Sequence, residues 1–190
     1  MPKRIPEEQI LRATVEEVLE KGYANATTRQ IAERADMSEM TLFRRFGNKA
    51  NLVMRAVSFV VEQNRVDATY TGDPTADLLR IVRHYHQKGL QKFTRILPLM
   101  LMEIPRHPEL MDVMEAPFQN VMGVGRLLLQ YQEEGVLMQE HPLHAVAGLM
   151  GPMIILKLLH DAGSRQRVPD MDLEAHVRSF IQGRLAKTNV

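Results

Sequence analysis

The chain has 190 residues, 45% of them hydrophobic and 25% charged, which is enough for a buried core in one ordinary domain or two small ones. Its net charge of +1 creates no global basic field, so any affinity for nucleic acid must come from local clusters. The absence of cysteine excludes disulfides, thiolate metal sites and cysteine nucleophiles, and points to a reducing, cytoplasmic setting.

The N-terminal MPKRIPEEQI places Lys3 and Arg4 as a short basic arm and lacks the apolar run of a signal peptide. A first helix is expected from about Pro6 to Lys21, with Ile10, Thr14 and Val18 on one stripe, Leu11, Val15 and Leu19 beside it, and Gly22 as its C-cap. The charge run Glu16, Glu17, Glu20 reads as a solvated face.

Residues Thr27 to Leu52, TTRQIAERADMSEMTLFRRFGNKANL, encode two short helices about a tight turn. Thr27 can cap the first while Gln30, three residues on, reaches back to the cap amide. Ile31, Ala32 and Ala35 form its apolar face. Asp36 occupies the turn, where it tolerates a left-handed backbone, and Met37 plugs it. Ser38 caps a second helix that starts at Glu39, on which Leu42 and Phe46 point inward. Glu39, Met40, Thr41, Arg44 and Arg45 are left facing out. This is the layout of a DNA-reading helix-turn-helix, and Arg29, Arg34, Arg44, Arg45 and Lys49 give the segment a local cationic excess.

Further along, only helical periods appear. Asn48 caps a fourth helix, whose Leu52, Ala56 and Val60 stay in phase with Val53, Val57 and Val61 to about Ala68. Asp73 and Pro74 open a fifth, running through Phe93. Pro98, Pro105 and Pro108 leave a short sixth helix. Pro108 and Glu109 begin a seventh, kinked at Pro117 and ended by Gly135. Pro142 opens an eighth to about Asp161, and a ninth is expected from Leu173 to Ala186. The chain is therefore read as all-α, with about nine helices and no strand, repeat or low-complexity tract. Its longest uncharged apolar stretch, Ala145 to Leu156, is well short of the ~20 residues that cross a bilayer.

The eighth helix is apolar almost all round. Val146, Met150 and Ile154 lie on one side, and Ala145, Leu149, Met153 and Leu156 on another, so it must be covered twice: one face can meet its own core and the other a partner, the alternative being a buried core helix of a monomer. Gly148 and Gly151 permit close backbone approach, and Leu173, Val177, Ile181 and Leu185 of the ninth helix supply a matching stripe. In the middle of the chain Tyr85, His86, Phe93, Leu97, Met100, Met114, Phe118, Met122 and Met150 mix thioethers with aromatics, which suits either an adaptable apolar pocket or a methionine-rich core. Enzyme signatures are missing: there is no GxSxG, P-loop or HExxH. His141 and His144 lack a carboxylate at ligand spacing, so neither a metal nor a cofactor is expected.

The stretch GYANATTRQIAERADMSEMTLFRRFGNKANL resembles the N-terminal signature of the TetR family of transcriptional repressors almost position by position. Family members usually have glycine where Asp36 stands, and a tyrosine that touches a DNA phosphate where Phe43 stands. The resemblance implies a helix-turn-helix DNA-binding domain over 1–52 and a helical effector-binding and dimerisation domain over 53–190. It also implies a four-helix dimer interface from the last two helices and a homodimer that leaves a palindromic operator when a small apolar or amphipathic effector binds. Glu39, Met40, Thr41 and Arg44 are then expected at base edges. Thr28, Ser38, Arg45 and Lys49 fall on phosphates, with Lys3, Arg4, Arg29 and Phe43 nearby. The rival reading is an all-α small-molecule carrier whose helix-turn-helix is inactive. Salt dependence of DNA binding separates the two.

Overall fold

The computed structural model describes residues 5–164 and 169–186, with the side chains of 88–95, 97 and 164 excepted. The expected basic arm, Lys3 and Arg4, and the side chains of Phe93 and Leu97 lie outside the described residues. Nine α-helices are described: α1 (Glu7–Asn25), α2 (Thr28–Arg34), α3 (Glu39–Phe46), α4 (Lys49–Gln63), α5 (Pro74–His84), α6 (Leu90–Glu103), α7 (Glu115–Glu133), α8 (Pro142–Leu159) and α9 (Leu173–Gln182). Extended pairing among the described residues is confined to one bridge, Leu137 with Leu185.

The packing divides the chain into two units, each discontinuous in sequence. One holds the residues to Gln63 together with Arg95–Pro117, and the other Asn64–Thr94 together with the chain from Phe118. In the first, α1 packs on α4. Ile10, Leu11, Val15 and Val18 of α1, and Leu52, Val53, Ala56, Val57, Val60 and Val61 of α4, are all buried. Each such Val, Leu or Ile adds about 1.5–3 kcal/mol by leaving water. A 3-10 segment, Pro108–Met114, also packs on α4 and buries its own Leu110 and Val113. In this way residues beyond Arg95 support the N-terminal helices.

The second unit closes around Leu78, Ile81, Val82, Leu128, Tyr131, Leu149, Val177 and Phe180. At its polar centre is Asp77, fully buried, which accepts from the Tyr131 hydroxyl at 2.6 Å, the Thr71 hydroxyl at 2.7 Å and the Thr71 amide at 2.8 Å, with Arg80 Nη1 at 3.0 Å. Burial pushes its carboxyl up, but these hydrogen bonds outweigh burial and hold it below the usual carboxylate range. Burial and the carboxylate together raise the Tyr131 hydroxyl. Beyond Gly135, whose φ of 70° turns the chain after α7, Met138 N donates to Arg184 O at 2.7 Å and fastens the end of α9.

Several boundaries differ from the sequence expectation. The fourth helix stops at Gln63, not Ala68, because the Asp67 carboxylate takes the Thr69 amide and hydroxyl, closing an Asx turn in place of helix. The fifth ends at His84, and a π-helical turn, Tyr85–Gly89, leads into α6. Pro98 does not divide the chain but sits within α6. Pro108 opens the 3-10 segment, and Pro117 is in the first turn of α7, where a missing amide hydrogen breaks no helical bond and no kink follows. The ninth helix ends at Gln182 rather than Ala186. Glu17 is no solvated face. It is 2% exposed, paired with Lys21 at 2.6 Å and with Arg34 at 2.9 Å, and Glu16 and Glu20 also converge on Arg34.

Candidate nucleic-acid interface

Local capping builds the α2–turn–α3 element. Thr27 accepts from the Gln30 amide and the Gln30 side chain returns to the Thr27 amide, completing a capping box. The chain then reverses through Asp36 at φ 57°, a left-handed value that Asp tolerates better than most side chains. Ser38 accepts from the Thr41 amide to start α3, Gly47 at φ 79° ends it, and Asn48 Oδ1 accepts from the Asn51 amide at 2.8 Å to start α4. Two longer bonds fix the angle between the elements. Gln9 of α1 donates to Ala35 O at 3.2 Å at the end of α2, and the Thr28 hydroxyl donates to Glu39 Oε1 at 2.5 Å.

Leu42 and Phe46 are buried, and α3 turns the opposite face outward. Met40 is 81% and Phe43 46% exposed, an unusual degree of exposure for such side chains, and Arg44 is exposed beside them. Within residues 5–63, every other Lys and Arg has an ion-pair or polar contact: Arg12 with Glu8, Arg29 with Glu33, Arg34 with the α1 carboxylates, Arg55 with Glu7. Among the described residues Arg44 has none.

The remaining candidates are less free than the sequence implied. Arg45 donates to Ile5 O at 3.0 Å and faces Glu7 at 3.6 Å, so it braces α3 against the start of α1. Lys49 stands at the start of α4, but its ammonium lies 4.3 Å above the Tyr23 ring and donates to Ala24 O at 3.4 Å. Burial lowers its pKa, partly offset by Glu103 and Glu109. Thr28 and Glu39 engage each other, and Ser38 and Thr41 share a hydroxyl contact at 2.9 Å. Spacing alone could not reveal these side-chain partners.

The pocket candidates separate. Met100 is buried and Met114 half-buried in the first unit, whereas Tyr85, Met122 and Met150 belong to the second, where His86 and Phe118 are exposed. In that unit an apolar cleft of about 340 Å³ is lined by Tyr85, by Val121 and Val124 of α7, and by Val146, Met150 and Ile154 of α8. Tyr85 is 5% exposed, its hydroxyl accepts from Asn120 Nδ2 at 3.0 Å, and burial pushes its pKa up to about 12. Val121, Val124, Val146 and Ile154 carry neither a thioether nor a ring, so the methionine and aromatic pattern does not reveal them. His141, weighed as a metal ligand, accepts the Leu143 amide through Nδ1 at 3.2 Å and caps α8.

The residues of the expected association stripe differ in burial. Val177 is fully buried in its own core, and Leu173 and Ile181 pack against that core. Leu185 is 54% exposed and bridges Leu137, and a side chain at Gly148 would meet Arg184 of the same chain at 2.5 Å. Gly151 has open space. Instead, Ala147, Gly151, Ile155 and Leu159 form the outward row of α8, with Ile155 56% and Leu159 44% exposed. Pro142–Gly163 is long and apolar enough to cross a membrane by length and composition alone, and only 28% of its most apolar stretch is buried. Ala145, Leu149 and Met153 on its other side belong to the core.

Comparison with known proteins matches this geometry. Residues 10–56 fit the family model described as bacterial regulatory proteins, tetR family. An HTH-type transcriptional regulator of Bacillus subtilis, YvkB, is 31% identical over 131 residues, covering 60% of this chain and 66% of its own. One from Mycobacterium bovis is 32% identical over 125 residues, covering 66% and 59%. The chain thus spans less than two thirds of the length of either curated relative. The fold is that of a TetR-family regulator from Vibrio parahaemolyticus (TM-score 0.74, 18% identity, 93% and 96% coverage) and of the flavonoid-responsive regulator FrrA (TM-score 0.72, 21% identity, 96% and 98% coverage). With the capped α2–turn–α3 element inside the matched segment, residues 10–56 carry the helix-turn-helix domain of the TetR family of bacterial regulatory proteins.

Proposed function

We propose that the protein is a ligand-responsive transcriptional repressor that binds a palindromic operator as a homodimer. The observation that carries this reading is the outward face of α3, where two exposed apolar side chains, Met40 and Phe43, stand beside Arg44, which has no partner among the described residues. Such a face suits a major groove: a guanidinium takes guanine O6 and N7 together, and apolar side chains meet thymine methyls. Ser38 and Lys49 are assigned to phosphates, and Thr41 to a base edge beside Arg44. Phe43 brings no hydroxyl to that backbone.

One α3 carries too little contact for useful specificity, and a two-fold axis doubles it. We assign the dimer contact to the exposed Ile155 and Leu159 of α8, beyond Ala147 and Gly151 of the same row, which line the apolar cleft. The effector site is the apolar cleft beside Tyr85, and its lining favours a small apolar or amphipathic molecule. The flavonoid-responsive regulator of the same fold supports that class of signal.

Selection from a random duplex pool tests the reading. The expected product is an inverted repeat bound by two copies, with affinity falling steeply as salt rises. Binding with no sequence preference above random DNA would instead support a carrier with an inactive helix-turn-helix.

A further inference from the structure

A second cleft of about 360 Å³ in the unit that begins at Asn64 lies between the segment Arg65–Tyr70 and the face of α7 bearing Asn120, Arg126 and Gln130. Its lining is mostly polar, unlike the cleft beside Tyr85. Five arginines lack an ion pair among the described residues: Arg44, Arg65, Arg106, Arg126 and Arg178. Two of the five, Arg65 and Arg126, line this one cleft.

The cleft's carboxylate, Asp67, is already engaged. It accepts the Thr69 amide at 3.0 Å and the Thr69 hydroxyl, and Arg80 faces it at 3.6 Å. These hydrogen bonds hold its carboxyl below the usual range. Arg80 also donates to the carbonyls of Asp67 and Thr69, so the segment opposite α7 is pinned before anything binds. The Tyr70 hydroxyl is held by Glu134. What remains for a ligand is two guanidiniums, each a fork of N–H donors with no acceptor opposite it among the described residues.

We infer that this cleft is a binding site for a small multivalent anion, a phosphate ester or a polycarboxylate, held between Arg65 and Arg126. Each guanidinium can take paired oxygens of such groups in a bidentate manner, so two of them suit an anion that carries more than one such group. The volume admits a metabolite of that size but no macromolecule. The site is separate from α3 and from the apolar cleft, so it stands or falls independently of the function proposed above.

Calorimetric titration of the full chain at low chloride with inorganic pyrophosphate, and separately with citrate, tests it. The expected result is saturable binding of at least one probe, one per chain, weakened at least about tenfold in Arg65→Ala and in Arg126→Ala. Arg178→Ala, which removes an unpaired arginine of α9 outside the cleft, should leave it unchanged. Saturation by pyrophosphate alone assigns the phosphate class, and saturation by citrate alone the polycarboxylate class. No saturable binding of either probe, or an equal loss in Arg178→Ala, overturns the site. So does a result in which Arg65→Ala and Arg126→Ala weaken binding to a duplex and leave both anions unaffected.

Discussion

Asp77 offers the sharpest test of what holds the C-terminal unit together. Replacing it with alanine removes the acceptor of four donors at once. Each Thr71 bond contributes about 1 kcal/mol, and stranding the buried Tyr131 hydroxyl costs about 1–3 kcal/mol. The Arg80 pair adds less than about 1 kcal/mol, because that guanidinium is 32% exposed and screened. A loss of about 4 kcal/mol is expected, near the upper end for single substitutions, which lowers the melting temperature by roughly 8–16 °C in a chain of this length. Asp77→Asn keeps the shape and part of the acceptor set and should lose about half as much. The pH dependence has a definite sign. A carboxyl lowered on folding contributes stability that is full above its unfolded pKa of about 3.9 and disappears as pH falls through the folded value. Urea titrations at pH 7 and down to pH 3 should therefore show the parent losing stability more steeply below about pH 4 than Asp77→Asn. An Asp77→Ala variant within 1 kcal/mol of the parent, or identical acid limbs, would refute the reasoning.

Other perturbations address the remaining parts. Arg34→Met strips buried Glu17 of one of its two cations, and chemical denaturation should register a loss of about 1–3 kcal/mol; no loss would mean that Lys21 alone suffices. Arg45→Ala should cost about 1 kcal/mol of stability and weaken selected and random duplexes alike, since that guanidinium braces α3 on Ile5, and a selective loss would restore it as a reader. Ile155→Glu should convert a dimer to monomers in sedimentation, and an undisturbed dimer would move the interface off this row of α8. Val121→Trp should fill the apolar cleft and leave operator affinity near the parent's while blocking effector release; normal release would place the effector elsewhere.

What could be read from the sequence was what local chemistry decides. The Thr27–Gln30 box, the left-handed Asp36, and the Ser38, Asn48 and Asp73 caps each join residues two or three apart, so residue type and spacing are enough to specify them. Contacts made across the fold were not readable. Nothing near Glu17 announces that Arg34 of the next helix will neutralise it, nor anything near Arg45 that the Ile5 carbonyl will accept its hydrogen bond. A stripe of apolar residues shows that a helix has a buried side without showing what buries it. Val177 accordingly meets its own core, and the uncovered residues are Ile155 and Leu159. The same limit applied to methionine, whose flexibility suits a ligand wall and a filled core equally well: Met150 lines a cleft and Met100 is simply buried.

The central claim is that α3 reads base sequence through Arg44. Fluorescence anisotropy of a labelled duplex, selected from a random pool and compared with a scrambled duplex of equal length and salt, tests it directly on the parent and Arg44→Ala. The account predicts a loss of about 1–3 kcal/mol on the selected duplex, roughly 5- to 150-fold in affinity, with little change on the scrambled one. Equal losses on both duplexes, or no loss on either, would contradict it.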